Sequence, residues 1–318
     1  PRTAATLARG YRTLLDKWAM KTVGKTDDVQ WQGHDFSFRG MAGWNAAAKA
    51  GAGHLLSFTG TDSIPAIAYL EKYYNADIEK ELVGASIPAS EHSVAESYGD
   101  VNEAEYFRHI IEDVHPSGLV SIVSDTWDFW KVITETVPSM KKLIMSRDGK
   151  LVIRPDSGDP VKIICGDPDA EEECVRKGAV ECLWDTFGGT NTVNGYKQLD
   201  SHIGLIYGDA ITWTRAKDIC ERLAEKGFAS TNVVFGIGSY TYMMGHFPAP
   251  WGNELRVGLL EAVVALFFSV IMLLSILGGR KKLDGEVEAT KHNIYYILCN
   301  LLLSSLLALV YTNDLFTA

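Results

Sequence analysis

The sequence has little cysteine, no excess of positive charge and no recognisable secretory leader, and each shortage narrows what the chain does. Its five cysteines (Cys165, Cys174, Cys182, Cys220 and Cys299) are an odd number, with no Cys-x-x-Cys pair and no Cys/His zinc spacing. That argues against a disulfide scaffold or a structural zinc site and predicts a reducing, cytoplasmic setting in which the thiols pack as small apolar groups. Thirty Lys and Arg face forty Asp and Glu, for a net charge of -10 and a pI near 5.3. Such a surface repels a polyphosphate backbone, which excludes a general nucleic-acid interface but leaves room for local basic pockets. No internal repeat is visible.

What is present divides in two. The 318 residues, 47% of them hydrophobic, are enough for two domains and a large core. Only five of the basic and six of the acidic residues fall in 243–318. Within that tail, 262–279 and 294–312 carry no charge, and the charged loop RKKLDGEVEATKHN separates them. Each stretch approaches the roughly 17–25 residues that span a bilayer as a helix. The expected organisation is a catalytic domain over 1–242, then an all-α two-helix transmembrane hairpin over 243–318, with spans at about 255–277 and 294–312. A buried helical hairpin is the alternative; core helices rarely run apolar on every face at that length.

Residues 1–242 read as α/β. Over 6–21, helical spacing aligns Leu7, Tyr11, Leu14, Leu15 and Trp18. Several later segments share one design, an apolar strand that ends in small and acidic residues. SGLVSIVSDTWD ends at Asp125, KLVIRPDSGD at Asp156 and SHIGLIYGDA at Asp209, while TNVVFGIGSYT ends in Gly236, Gly238 and Ser239. Helical stretches over 128–145 and 214–226 alternate with them. This alternation predicts a parallel sheet, open or closed, whose carboxyl strand ends meet on one face where chemistry is done.

The strand-end aspartates Asp125, Asp156 and Asp209 have the chemistry to hold sugar hydroxyls or a hydrated magnesium ion, or to steady a sugar carbon that turns cationic. Taken singly, each is as readily a helix N-cap. The glycines of FGIGSYT let backbone N–H groups approach a phosphate. Arg39 and Arg154 add anion-binding capacity, or serve as surface ion pairs. His92, in SIPASEHS, is a candidate acid, base or nucleophile, or an exposed loop histidine. In HDFSFRG, strand alternation sends Phe36 and Phe38 to one face, and periodicity alone reads them as core.

The segments HDFSFRG, FTGTDS, SIPASEHS, VSIVSDTWD, IRPDSGDP, NGYKQL, IYGDA and FGIGS, in this order, resemble the nicotinamide phosphoribosyltransferases, which are type II phosphoribosyltransferases. The resemblance covers residue 1 to about 242. It implies an irregular α/β barrel, here incomplete, and a homodimer. The implied reaction joins nicotinamide to phosphoribosyl pyrophosphate, giving nicotinamide mononucleotide and pyrophosphate in NAD salvage. By resemblance, Phe36 stacks on the base, Asp62 receives its carboxamide N–H and Arg154 lies beside base and ribose. Arg39 contacts phosphate, Ser121 lines the substrate site, and Asp125 and Asp156 organise ribose, magnesium and the histidine loop. His92 is the histidine phosphorylated by ATP, a coupled co-substrate. Gly208, Asp209, Gly238 and Ser239 hold the ribose and 5′-phosphate.

The family pattern also includes an N-terminal region that supplies a partner-subunit aromatic, and a basic segment after FGIGSYTY. Neither is in this sequence, so impaired activity is expected. FPAPWGNELRVGLLEA and YTNDLF resemble instead the D-type subunits of multisubunit cation/proton antiporters. Glu261, near the start of the first span, reads as an interfacial charge. Arg280, Lys281, Lys282 and Lys291 would hold their loop in the cytoplasm and leave the enzyme half outside, away from its phosphorylated substrates. A junction of two truncated genes is therefore expected over a natural membrane-tethered enzyme. The alternatives are an antiporter subunit fragment with a passenger domain, and a nicotinate-using enzyme.

Overall fold

The computed structural model of the chain describes residues 2–209, 211–238, 265–277 and 292–311. The chain divides into two compact units, residues 1–240 and 241–318.

The strands of the first unit are β1 (Gly33–Asp35), β2 (Gly60–Thr61), β3 (Gly118–Val123), β4 (Gly149–Arg154), β5 (Gly189–Asn191), β6 (Lys197–Leu199), β7 (Ile203–Tyr207) and β8 (Val233–Ile237). β5 and β6 form a separate antiparallel pair. The other six make one sheet, in the order β2-β1-β8-β7-β4-β3, with every pairing parallel. A parallel strand covered on both faces must be apolar almost throughout. Ile122, Ile153, Leu205 and Phe235 accordingly sit at 1% exposure or less.

One short segment bridges both edges of this sheet. Ala85 pairs with Gly60 on β2, and Ala89 pairs with Ser121 on β3. The amides of Thr61 and Ser121 donate to the carbonyls of Ala85 and Pro88, and Ser90 donates back to Ser121, each at 2.9 Å. Four Cα steps reach at most about 14 Å. A segment this short ties the free edges of β2 and β3, so the sheet must curl. Of the expected α/β barrel the structure shows a curled, half-barrel parallel sheet, with residues 85–89 bridging to both edges.

Helix α1 (Arg2–Thr22) buries Ala4, Ala8, Tyr11, Leu14, Leu15 and Trp18, so the apolar spacing names its inner face; Leu7 lies at the margin. The helix expected over 128–145 is interrupted. Phe129–Lys131 gives way to a π-helical turn, Val132–Thr136, then to Val137–Ser139 and Lys141–Met145. Pro138 has no N–H to return to Thr134, and the wider turn before it absorbs the lost bond. The later helix Trp213–Glu225 begins where Thr212 accepts the Arg215 amide at 3.1 Å. The cysteines are free, as expected, and burial pushes the Cys165 and Cys182 thiols up to about 12.

Glu103, only 5% exposed, lines a cavity of about 290 Å³ with Lys131 and Thr136, and its Oε1 has no hydrogen-bond partner. Burial raises its carboxyl to about 7; Lys131 opposes this, while Asp128 and Asp100 add to it. Below the usual 4.5 both folded and unfolded chains hold the proton; above it the unfolded chain sheds it first, so stability falls as pH rises towards 7. Solvent screening offsets part of this, and Glu103→Gln should add about 1–2 kcal/mol at pH 8 and almost nothing near pH 4. Thermal melts at the two pH values check it; an equal gain at both would show that ionisation is not the cause.

In the second unit the described residues form helices over 265–277 and His292–Tyr311. The expected spans at 255–277 and 294–312 are not supported, because among the described residues no helix is long and apolar enough to cross a membrane. The described part of the first is 13 residues. That is about 20 Å of helix against a hydrocarbon core of about 30 Å. Glu261 and the loop carrying Arg280, Lys281, Lys282 and Lys291 lie outside the described residues.

Candidate active site

Because all six strands run parallel, their carboxyl ends gather on one side. There a cavity of about 410 Å³ is lined by Phe36, Phe38, Arg39, Asp62, Glu91, Arg154, Asp156 and Gly208. Phe36 follows β1, and its amide is fixed to the Ile237 carbonyl at 2.8 Å. Strand β1 stops at Asp35, whose buried carboxylate accepts the Ser37 amide at 2.9 Å and the Thr61 hydroxyl at 3.3 Å. Phe38 then lies in a 3₁₀ turn, Phe38–Gly40. The alternation that made both rings core therefore does not apply, and both face the cavity.

Two glycines clear this space. A Cβ on Gly236 would meet the Phe36 ring at 2.5 Å, and one on Gly208 would meet Asp156 Oδ1 at 1.9 Å. No other residue fits at either place without moving a site side chain.

Asp125 ties the floor together. Its Oδ1 lies 3.0 Å from His92 Nε2, and its Oδ2 accepts the Asp156 amide at 2.9 Å and the Ser157 hydroxyl at 2.6 Å. Helix capping falls to Asp128 and Asp159, which accept the amides of Lys131 and Val161. Each stands three residues past a strand-end acid, so Asp125 and Asp156 are not caps. Arg154 is buried. Its Nη2 donates to the Ser90 carbonyl at 2.9 Å and lies 3.6 Å from Glu91, while its Nε is 3.4 Å from Asp156 Oδ2.

The cavity's two inner carboxyls are pushed in opposite directions. Burial raises Asp156, and Asp125 adds repulsion against the pull of Arg154, His92 and Arg39. Burial would raise Asp62 too. There, hydrogen bonds from His34 at 2.7 Å and Ser86 at 2.6 Å, helped by Arg154, outweigh it and hold the carboxyl below its ordinary value. Asp62 is thus the firm anion of the pair, and Asp156 is the more readily protonated.

The structure brings His92, Asp125, Asp156, Phe36, Arg39, Asp62, Arg154 and Gly208 to one place. Asp209 follows Gly208 and is partly buried. Gly238 follows β8 at a φ of +86° and packs against Ser37, where a Cβ would be 2.7 Å away. Ser121 is buried on β3 with its hydroxyl unpartnered. Ser239 lies outside the described residues. Sequence reasoning missed Phe38 and Glu91 as cavity walls, and His34, Ser86 and Ser90 as the groups that hold Asp62 and Arg154. Only adjacency to His92 and Asp35 hinted at Glu91 and His34. Among the described residues no group of three or more His, Cys, Asp or Glu could hold a metal ion. Of the two expected magnesium ligands, Asp125 has both oxygens engaged, whereas Asp156 Oδ1 is buried with no hydrogen-bond partner.

The sequence matches the nicotinate phosphoribosyltransferase (NAPRTase) family over residues 31–246. It is 54% identical over 247 residues to a nicotinamide phosphoribosyltransferase of Acinetobacter baylyi, an overlap of 76% of this chain and 48% of that protein. A nicotinamide phosphoribosyltransferase of Mycoplasma pneumoniae is 36% identical over 241 residues, 76% of this chain and 50% of the relative. One of Xanthomonas campestris is 33% identical over 241 residues, covering 75% and 48%. The chain spans about half the length of these curated relatives. The family match ends at residue 246, so it lends nothing to the antiporter resemblance of 243–318.

Proposed function

The chain belongs to the nicotinate phosphoribosyltransferase family, and on that premise we propose that it carries the base and ribose site of a nicotinamide phosphoribosyltransferase. The observation that carries this reading is the anionic Asp62 on the same cavity wall as Phe36. An acceptor-only group suits an amide N–H and repels the carboxylate of nicotinate.

In the reaction, the pyridine nitrogen of nicotinamide bonds to the anomeric carbon of phosphoribosyl pyrophosphate. The bond from that carbon to pyrophosphate breaks, and its electron pair leaves with the pyrophosphate. Phe36 offers a ring face whose attraction grows as the pyridine becomes cationic. Arg39 supplies donors and positive charge to the phosphates, Arg154 lies beside the base and ribose, and Asp156 stands by the sugar carbon as it gains positive charge. Gly208, Asp209, Gly238 and Ser239 belong, in the same proposal, to the ribose and 5′-phosphate. Asp156, whose Oδ1 has no hydrogen-bond partner, is the residue that would hold a magnesium ion, which would supply positive charge against the leaving pyrophosphate. A homodimer belongs to the same proposal.

The test incubates the purified protein with nicotinamide, phosphoribosyl pyrophosphate and magnesium, and follows nicotinamide mononucleotide and pyrophosphate in equal amounts. Product formed from nicotinate in preference to nicotinamide overturns the reading, whereas a low rate with nicotinamide is the impaired activity expected of this sequence. His92 belongs to the ATP-coupled part of it. Asp125 accepts a hydrogen bond from Nε2–H, which leaves Nδ1 as the ring's lone pair for attack on the γ-phosphorus of ATP, where the bond to the bridging oxygen breaks and ADP leaves with its electron pair. His92→Ala should lower turnover to the ATP-free rate and no further. Loss of the ATP-free rate as well, or persistence of the ATP effect, would mean that His92 is structural.

A further inference from the structure

We propose that His34 is the positioning residue that sets base choice, by holding Asp62 with one oxygen occupied and the other turned to the substrate. The inference rests on the nicotinamide reading and goes beyond it by naming what makes Asp62 selective.

Two side chains of the base site meet at His34. Its Nε2 lies 2.7 Å from Asp62 Oδ1, and its ring packs against that of Phe36 with centroids 4.9 Å apart. A carboxylate only accepts, so the proton sits on Nε2. The Ser86 hydroxyl donates to the same Oδ1 at 2.6 Å. With two donors on Oδ1, Oδ2 is left as the acceptor for the base.

The fold reserves room for this arrangement. His34 pairs with Gly60 on β2 and Gly236 on β8, so both its cross-strand neighbours are glycines. A Cβ on Gly60 would press on His34 Nδ1 at 2.7 Å, and one on Gly236 would press on the Phe36 ring at 2.5 Å. One glycine thus seats the imidazole and the other seats the phenyl ring. The charged and titratable groups around it are Asp62, its chain neighbour Asp35 and the buried His54, whose Nε2 lies 3.1 Å from the Gly60 carbonyl, while Arg154 acts on Asp62. None of these except Asp62 is a hydrogen-bond partner of His34 among the described residues.

Two amides separate positioning from packing. His34→Gln carries its N–H close to the position of Nε2, whereas His34→Asn stops near Nδ1 and cannot reach Asp62. Both are measured with nicotinamide and with nicotinate under identical conditions. In His34→Asn, KM for nicotinamide should rise about tenfold and that for nicotinate should fall, with kcat little changed, because loss of a hydrogen bond to a charged group removes about that much selective binding. His34→Gln should recover most of the preference. A further measurement needs no variant: imidazole nitrogen-15 shifts should show His34 protonated at Nε2 and should move when nicotinamide is added. Equal weakening of both bases in both variants, an unchanged base ratio, or a bare Nε2 would overturn the inference. If the unaltered protein has no preference for nicotinamide, the functional reading itself has failed, which is a different result.

Discussion

Asp62→Asn should reduce the preference for nicotinamide over nicotinate from about a hundredfold to below tenfold. Two like charges about 4 Å apart repel by about 4 kcal/mol at an effective dielectric near 20. The Asp62 side chain is 45% exposed, so solvent screens roughly half of that. About 2 kcal/mol remains against nicotinate, and the amide N–H that finds an acceptor adds about 1 kcal/mol for nicotinamide. At 1.4 kcal/mol for each factor of ten, the sum is about a hundredfold. Asparagine removes the charge and keeps the size, so the effect should lie in the base ratio and not in overall folding. Because the Asp62 carboxyl is held below its ordinary value, the preference should persist through neutral pH and fade only at acid pH, below the usual carboxylate range. The measurement is kcat/KM for each base across pH. A ratio that Asp62→Asn leaves unchanged would remove Asp62 from base recognition.

The sheet was legible for a simple reason. A parallel strand covered on both faces has to be apolar until its end, so LVI followed by Arg154 and Asp156 marks both the strand and the edge of a site. What an isolated acid does there is not legible. An aspartate at a strand-to-helix turn caps or functions with the same sequence signature. Only the contacts decide, because Asp128 and Asp159 do the capping and release Asp125 for His92, 33 residues away. Phe36 and Phe38 misled for a local reason. Alternation presumes that the strand continues, but the Asp35 carboxylate takes the Ser37 amide and turns the chain. His34 gave no signal of its own, since its role depends on two glycines that are distant in sequence and adjacent in register. In the second unit, lack of charge set the length of an expected span, yet charge-free length alone does not make a membrane helix, and the described helices do not amount to one.

Arg154→Ala should abolish most activity, by about a thousandfold, and should also destabilise the first unit. Arg154 is 6% exposed, and its guanidinium holds three groups at once, the Ser90 carbonyl, Glu91 and Asp156. Removing it takes a cation and several donors from beside the base and ribose, and each charged hydrogen bond is worth about 1.5–3 kcal/mol. It also leaves Asp156 buried beside Asp125 without the cation that most lowers its pKa. Breaking one half of a buried pair generally costs about 3–5 kcal/mol. The sign with pH follows from linkage. Asp156 is already raised by burial, and in the variant it rises further, so the folded state would hold its proton longer than the unfolded chain does. That contribution is fully present below the ordinary carboxylate pKa and is lost as pH climbs through the raised value. The stability gap between the unaltered protein and Arg154→Ala should therefore be smallest near pH 4 and widest near pH 8. Arg154→Lys restores a point charge near Asp156 but cannot span from Ser90 to Asp156, so it should recover stability better than turnover. Denaturant titrations at both pH values, beside an assay of nicotinamide mononucleotide formation, separate the two effects. A variant as stable as the unaltered protein at pH 8, with less than a tenfold loss of rate, would show that Arg154 neither supports Asp156 nor serves the reaction.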